Sequence, residues 1–183
     1  MKTSILCSLL LVSLSLFAQN PKERIEYKTV NNNTYKIVYY KDMTIVNNVI
    51  YPFRGQDNGG YDFFREYEYK FNLTKEEYKR ILLKHISPYL RKPNFGEYEN
   101  FSVDTYYDIK GNPTYMVYVY PLTLIIPIEA IDALDKEIKT NPAFKLTVRA
   151  ISPSHVPKSI TYLKFDYYFE LNDLKQESLR TAP

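Results

Sequence analysis

The first hydrophobic segments of the chain have the spacing of β-strands. Two runs, 25–30 and 34–40, are rich in β-branched and aromatic residues, and three asparagines at 31–33 separate them. Asparagine tolerates the left-handed backbone of tight turns, so this pattern predicts a β-hairpin. A third run, 44–53, has the same composition and predicts a further strand.

A strand and then a helix are predicted next. In 61–71 the odd positions 63, 67, 69 and 71 are aromatic and the even positions 66, 68 and 70 are charged, which is typical of a half-buried strand. Thr74 and Glu77 have the spacing of a capping box, in which each side chain binds the other's backbone amide. The helix that they open is predicted to end near Leu90.

The second half of the chain predicts a similar series of strands and a helix. Residues 101–109 alternate, and Lys110 to Asn112 turn them into the run 113–120, which predicts a second hairpin. Apolar residues after Pro127 recur at helical spacing. A short strand and a long one ending at Leu171 follow, and the polar tail from Asn172 is predicted to fray.

This order predicts an α+β fold, a mostly antiparallel sheet with two helices packed on one face, built from hairpin-helix-strand units. We expect a single domain over 19–183. The alternative arrangement is two hairpin-helix halves, 25–92 and 97–171, related by duplication.

Residues 1–18 have the features of a secretory signal peptide. Lys2 precedes an apolar run that ends at Phe17, and the small residue Ala18 marks the predicted cleavage position. The run has about 13 residues, fewer than the roughly 20 that a membrane-spanning helix needs. We therefore expect a secreted or periplasmic protein without a stable membrane span.

Composition excludes several classes of function. With 24 basic and 21 acidic residues the net charge is +3, too small for a dedicated nucleic-acid binder. The single cysteine, Cys7, lies in the predicted signal peptide, so no disulfide is expected. His85 and His155 are the two histidines, and neither has a second histidine at metal-ligand spacing. We predict neither a metal nor another cofactor.

Catalysis is not predicted either. A serine or cysteine hydrolase needs a nucleophile beside a histidine and an orienting acid, and the chain has no glycine-flanked nucleophile turn. Three carboxylate pairs on predicted strands or loops keep a glycosidase as an alternative. These pairs are Glu66 with Glu68, Glu97 with Glu99, and Asp104 with Asp108.

The aromatic content is the strongest anomaly, because the chain has 19 Tyr, 10 Phe and no Trp. Tyrosine is enriched at recognition surfaces. Tyr106, Tyr162 and Tyr168 fall at outward positions of the predicted strands and are the candidate binding residues. The alternative is that a sheet without tryptophan builds its core and cross-strand pairs from Tyr and Phe.

The order of elements over 103–171 resembles the C-terminal domain of TonB-like periplasmic proteins, in which a hairpin, a helix and a returning strand form a small sheet. The resemblance rests on the turn 108–112, the helix 129–134, the strand entry 141–144 and the strand 165–171. The signal ending at 16–20 and the Tyr- and Asn-rich body are similar to small secreted proteins of unknown function from Bacteroides-type bacteria. That likeness implies a periplasmic or surface location and no known activity.

The sequence thus favours a secreted, non-catalytic binding module. An exposed strand edge can bind a protein or peptide of the cell envelope through backbone hydrogen bonds alone, without signature residues. The alternative is a carbohydrate-binding accessory protein that uses the exposed tyrosines.

Overall fold

A computed structural model of the protein describes residues 23–50, 52, 67–91, 93–150 and 162–180. Within these residues the strands are β1 (Arg24–Val30), β2 (Asn33–Tyr40), β3 (Met43–Asn48), β4 (Tyr67–Phe71), β5 (Asn100–Asp108), β6 (Pro113–Pro121), β7 (Leu146–Ala150) and β8 (Tyr162–Glu170). The α-helices of the same residues are α1 (Lys75–Leu90), α2 (Ile128–Thr140) and α3 (Leu171–Arg180). The predicted signal peptide lies outside the described residues.

Six strands form one antiparallel sheet in the order β1-β2-β3-β6-β5-β8, and β4 pairs with β7 in a small second sheet. The α+β fold predicted from the sequence is therefore confirmed. The division into one domain or two halves stays a prediction. None of the described helices is both long and apolar enough to cross a bilayer.

The first hairpin forms where its asparagines predict it. Asn31 and Asn32 have φ angles of 48° and 68°, so both central residues of the turn adopt the left-handed conformation. Such a two-residue turn matches the right-handed twist of paired strands. It fixes the register in which Val30 opposes Asn33.

The capping box of α1 is also confirmed. The Thr74 hydroxyl accepts from the Glu77 amide at 3.2 Å, and the Glu77 carboxylate accepts from the Thr74 amide at 2.8 Å. The helix buries Tyr78 against Phe169 and Tyr167 of β8, with ring centroids 5.4 and 4.6 Å apart. This contact holds α1 on one face of the large sheet, which we call the inner face.

Helix α2 packs on the inner face of the sheet's other half. Its residues Ile131, Leu134 and Ile138 are fully buried. Between them the helix also buries two carboxylates, Asp132 and Asp135. Asp132 accepts hydrogen bonds from three donors around the first hairpin: Asn31 Nδ2 at 2.9 Å, Asn33 Nδ2 at 2.8 Å and the Tyr35 hydroxyl at 2.8 Å.

The expectation that the chain frays from Asn172 is wrong. Residues 171–180 form α3, a third helix that packs against α1. Leu171, Leu174 and Ser178 recur at helical spacing and are buried. Lys79 of α1 bridges to Glu177 at 2.8 Å, which adds a polar contact to this helix pair.

Candidate binding surface

The face of the large sheet opposite the helices is the outer face. The described helices all pack on the inner face, and alternate strand residues therefore point away from the hydrophobic core. Several large apolar side chains on the outer face are exposed. They are Ile25 and Tyr27 of β1, Tyr40 of β2, Met43 of β3 and Tyr168 of β8. Exposed apolar side chains that adjoin one another are a feature of interaction sites.

All three tyrosines predicted as binding residues lie on this outer face. The register places Tyr168 opposite Ser102, and Tyr106 opposite Lys164. The Tyr106 ring lies 5.4 Å from the Tyr162 ring and 5.4 Å from the Tyr115 ring, so these three residues form an aromatic cluster. Burial raises the pKa of Tyr106 above its ordinary value.

An ion-pair ladder adjoins the aromatic cluster. Lys164 Nζ lies 2.9 Å from Asp104 Oδ2 and 2.8 Å from Asp166 Oδ1. Burial raises the pKa of Asp104, and the neighbouring lysine only partly offsets that effect. Because one ammonium serves two carboxylates, the ladder carries net negative charge.

Tyr168 lies apart from the cluster and is 55% exposed. It lines a shallow cavity of about 340 Å³ with the still more exposed Tyr98 and with Met43 and Pro121. Tyr168 lies four positions beyond Lys164 along β8, a span of roughly 13 Å. The predicted tyrosines thus share one face but form two separate groups on it.

The terminal strands of the large sheet are β1 and β8, and we call the unpaired side of β1 the open edge. Within the part of the chain that the structure describes, β1 pairs only with β2. The pair Val30 and Asn33 closes a two-residue turn, so it exchanges both backbone hydrogen bonds, and every second pair after it does the same. The backbone groups of the intervening residues Ile25, Tyr27 and Thr29 consequently point away from β2, toward the open edge.

A hydrogen bond on the far side of β2 supports this assignment. Thr34 opposes Thr29, and its carbonyl accepts from the Val49 amide at 2.9 Å, on the side of β3. Thr34 therefore directs its backbone away from β1. Its partner Thr29 does the same on the opposite side, as an alternating antiparallel ladder requires.

Members of the predicted carboxylate pairs accept hydrogen bonds within local turns. Asp108 accepts from the amides of Lys110 and Asn112 at 2.9 and 2.8 Å and holds the turn of the second hairpin. Glu99 accepts from the Gly96 amide at 2.8 Å. Glu66 lies outside the described residues.

His85, the histidine within the described residues, joins two helices. His85 Nε2 lies 2.6 Å from Glu137 Oε2 in a contact between α1 and α2, and His155 lies outside the described residues. Among the residues that the structure covers, no three His, Cys, Asp or Glu side chains are grouped so as to hold a metal ion.

Sequence reasoning favoured an exposed strand edge but did not identify β1 as that edge, and it did not find the buried carboxylates. The edge strand was not identified because the composition of β1 resembles that of β2, its buried neighbour. The sequence did contain an indication that Asp132 and Asp135 are buried, since both lie within the apolar stripe of a predicted helix. Charged residues at such positions are rarely buried without partners.

The chain matches no family model and no curated protein by sequence. Its structure is similar to the crystal structure of a DUF5043 family protein from Bacteroides uniformis, with a TM-score of 0.53 and 10% sequence identity. The alignment covers 84% of this chain and 89% of that one. At this identity the likeness shows the fold alone. The neighbour belongs to a family of uncharacterised function and comes from a Bacteroides species.

Proposed function

We propose that this protein is an exported, non-catalytic binding module that holds an extended segment of another protein along the open edge of β1. The observation that carries the proposal is the set of backbone groups of Ile25, Tyr27 and Thr29, which point away from β2. An added strand would satisfy these groups and extend the sheet. The cell envelope is the proposed location, supported by the signal-peptide features of 1–18.

The side chains of β1 define the chemistry of the partner. Ile25 and Tyr27 are 43% and 64% exposed on the outer face, so the partner residues beside them are expected to be apolar. On the inner face, Glu26 is paired with Arg24 at 3.0 Å, while Lys28 makes no ion pair with any described residue. The partner residues on that side are therefore expected to be acidic.

The charged side chains of Arg24, Glu26 and Lys28 also explain why the open edge does not pair with any available strand. Charged side chains on an edge strand disfavour pairing with an arbitrary strand, since an added strand buries part of each charge. A partner that supplies a carboxylate beside Lys28 offsets that cost. The proposed specificity is for extended peptides that alternate apolar and acidic residues.

The proposal is tested by replacing Tyr27 with proline. Proline removes the amide that points to the open edge and leaves the β1–β2 hydrogen bonds in place. We expect Tyr27→Pro to weaken binding of a synthetic peptide that alternates valine and glutamate by about tenfold or more. The measurement is isothermal titration calorimetry.

Tyr27→Ala is the matched control, because it removes the same side chain and keeps the amide. It is expected to weaken binding less than the proline variant, and a peptide that alternates valine and lysine is expected to bind neither variant nor the unmodified protein. Equal affinities of the two variants, or no binding of the acidic peptide to the unmodified protein, would contradict strand addition at β1.

A second candidate function is carbohydrate binding on the outer face. It is favoured by the exposed rings of Tyr168 and Tyr98 over a shallow cavity that Asp42 and Glu99 also line. Aromatic faces pack on sugar rings, and carboxylates accept hydrogen bonds from their hydroxyls. The TonB-like resemblance of the second half stays a prediction and supports neither candidate over the other.

Tyr168→Ala tests this second candidate. If sugars bind over the cavity, we expect the variant to lose most of the signal that the unmodified protein gives on a glycan array, because the principal stacking surface is removed. Leu179→Ala is the control, since Leu179 is 56% exposed on α3, a different surface. No signal from the unmodified protein, or equal signals from both variants, would argue against sugar binding at Tyr168.

A further inference from the structure

A second cavity lies on the inner face of the sheet, on the opposite side from the exposed tyrosines. It has a volume of about 510 Å³, within the range of roughly 300–1,000 Å³ typical of small-molecule sites. The strands β1, β2, β3 and β6 form its floor, and the segment 122–128 between β6 and α2 forms its wall. We call this cavity the inner groove.

The middle of the inner groove is apolar. Ile37 and Val46 are adjacent in the register of β2 and β3, and they are 5% and 1% exposed. Leu124 and Ile126 of the wall are also buried. Side chains of this kind bind the hydrocarbon part of a ligand through burial of apolar area.

One end of the inner groove is polar. The register aligns Arg24, Tyr39, Thr44 and Tyr120 in a single row across β1, β2, β3 and β6. Tyr39 donates from its hydroxyl to Glu26 at 3.2 Å, and the Arg24 guanidinium lies 4.2 Å from the centre of the Tyr39 ring. The row thus places a cation and hydroxyl groups at one end of the apolar floor.

Two buried hydroxyls of this row have no hydrogen-bond partner among the described residues. Thr44 and Tyr120 are 5% and 4% exposed, and the hydroxyl of neither makes a hydrogen bond with another residue that the structure describes. A buried hydroxyl without a partner costs free energy. Both residues line the inner groove, so a ligand atom in the groove can accept the missing hydrogen bonds.

The charged side chains beside the inner groove determine which ligand charge it favours. Arg24 and Lys28 provide two positive charges at the groove, and Glu26, which faces the same side of β1, provides one negative charge. The net charge of these three groups is positive. Burial raises the pKa of Tyr120, so its hydroxyl stays protonated at neutral pH and acts as a donor. Donors and net positive charge favour an anionic head group.

We propose that the inner groove binds a single-chain anionic amphiphile, a fatty-acid carboxylate whose head group lies at the row formed by Arg24, Thr44 and Tyr120. The hydrocarbon chain lies against Ile37 and Val46, beneath the segment 122–128. The groove lies on the inner face of the sheet, whereas strand addition would use the backbone of Ile25, Tyr27 and Thr29, and the proposal does not depend on the proposed function. Lys28 lies beside both sites.

Laurate, kept below its critical micelle concentration, is the probe for calorimetric titration of the purified protein. We expect laurate to bind at least about tenfold more tightly than dodecanol, since the alcohol lacks the charge that Arg24 and the hydroxyls recognise. Dodecyltrimethylammonium, which has the opposite charge, is expected not to bind. No binding of laurate, or equal affinities for laurate and dodecanol, would overturn the proposal.

Tyr120→Phe distinguishes a ligand-binding role of the Tyr120 hydroxyl from a purely structural role. The ring, stacked 5.5 Å from Phe101, is retained and only the hydroxyl is lost. We expect a higher Tm for the ligand-free variant, because an unsatisfied buried group is removed, together with a loss of laurate affinity of about tenfold. Thr44→Val, which has nearly the same shape, is expected to act in the same direction.

Tyr40→Phe is the matched control, because Tyr40 is 41% exposed on the outer face and the variant removes only its hydroxyl. It is expected to change neither Tm nor laurate affinity. A Tyr120→Phe variant with a lower Tm and unchanged laurate affinity would assign the hydroxyl to structure and overturn the head-group site. Peptide binding at β1, measured on the same variants, separates the two sites.

Discussion

Replacing Gly111 with alanine is expected to lower the free energy of unfolding by about 4 kcal/mol or more. Gly111 has a φ of 79° in the turn between β5 and β6, a conformation that side chains with a Cβ atom rarely adopt. An added Cβ would also overlap the backbone oxygen of Leu146 and lie 2.9 Å from its carbonyl carbon. The Leu146 amide donates a hydrogen bond to the Gly111 carbonyl, so the two segments cannot move apart without breaking it. Removing the overlap between the new Cβ and Leu146 therefore costs free energy.

Urea denaturation at neutral pH, followed by circular dichroism, measures this effect. Gly96→Ala is the matched control, because a Cβ there would make ordinary contact with the flexible Glu99 side chain at 3.5 Å. We expect that variant to stay within about 0.5 kcal/mol of the unmodified protein. A Gly111→Ala variant as stable as Gly96→Ala would contradict the close approach of the hairpin turn to β7.

Asp132→Ala is expected to cost about 2–4 kcal/mol, because it leaves three donors around the first hairpin without their acceptor. Asp132 is 3% exposed, so water cannot readily replace the carboxylate. The contact joins α2 to the β1–β2 turn. Its loss is therefore expected to loosen the hairpin as well as the helix, which increased amide exchange of β2 would reveal.

The cost of Asp132→Ala is also expected to depend on pH. Burial disfavours the charged carboxylate, but the hydrogen bonds from Asn31, Asn33 and Tyr35 outweigh burial and hold the pKa of Asp132 below its ordinary value. A depressed carboxyl pKa stabilises the folded state above about pH 4, and this stability is lost as pH falls through the folded-state pKa. The difference between variant and unmodified protein should shrink between about pH 7 and pH 3.

Asp135→Asn is the comparison for this prediction. Burial raises the pKa of Asp135, so its charged form is costly at neutral pH even with Lys139 Nζ at 2.7 Å. An asparagine oxygen can still accept from the Tyr118 hydroxyl, which lies at 3.3 Å. We expect a change of less than about 1 kcal/mol. A larger loss for Asp135→Asn than for Asp132→Ala would reverse the assigned roles of the two carboxylates.

Local signals predicted much of this fold. The left-handed turn at Asn31 and Asn32, the capping box at Thr74 and the hairpin turn at Gly111 each depend on a few neighbouring residues, and the structure contains all three. The alternation of 101–109 likewise placed Tyr106 on the outer face. Features set by residues close in sequence are those that single-sequence patterns carry.

The remaining features depend on contacts distant in sequence. Helix α3 is mostly polar, and only packing against α1 distinguishes its few buried residues from a frayed tail. The pairing of β3 with β6 has no local signal, so neither the sheet order nor the edge position of β1 was predictable. The inner groove escaped prediction for the same reason, because the row from Arg24 to Tyr120 exists only once four strands are in register.

The order of strands in the large sheet also has a consequence for how the chain folds. The units β1-β2-β3 and β5-β6 are each made from neighbouring residues and need only short loops to close. The sheet becomes continuous only when β3 meets β6, and β4 meets β7 across a comparable distance in sequence. Closing such long loops costs conformational entropy before the new contacts contribute favourable free energy. For this reason β-rich topologies with many long-range contacts fold slowly. Until β3 pairs with β6, the facing edges of the two units stay unpaired and are prone to aggregate. A chaperone would prevent aggregation most effectively during this interval.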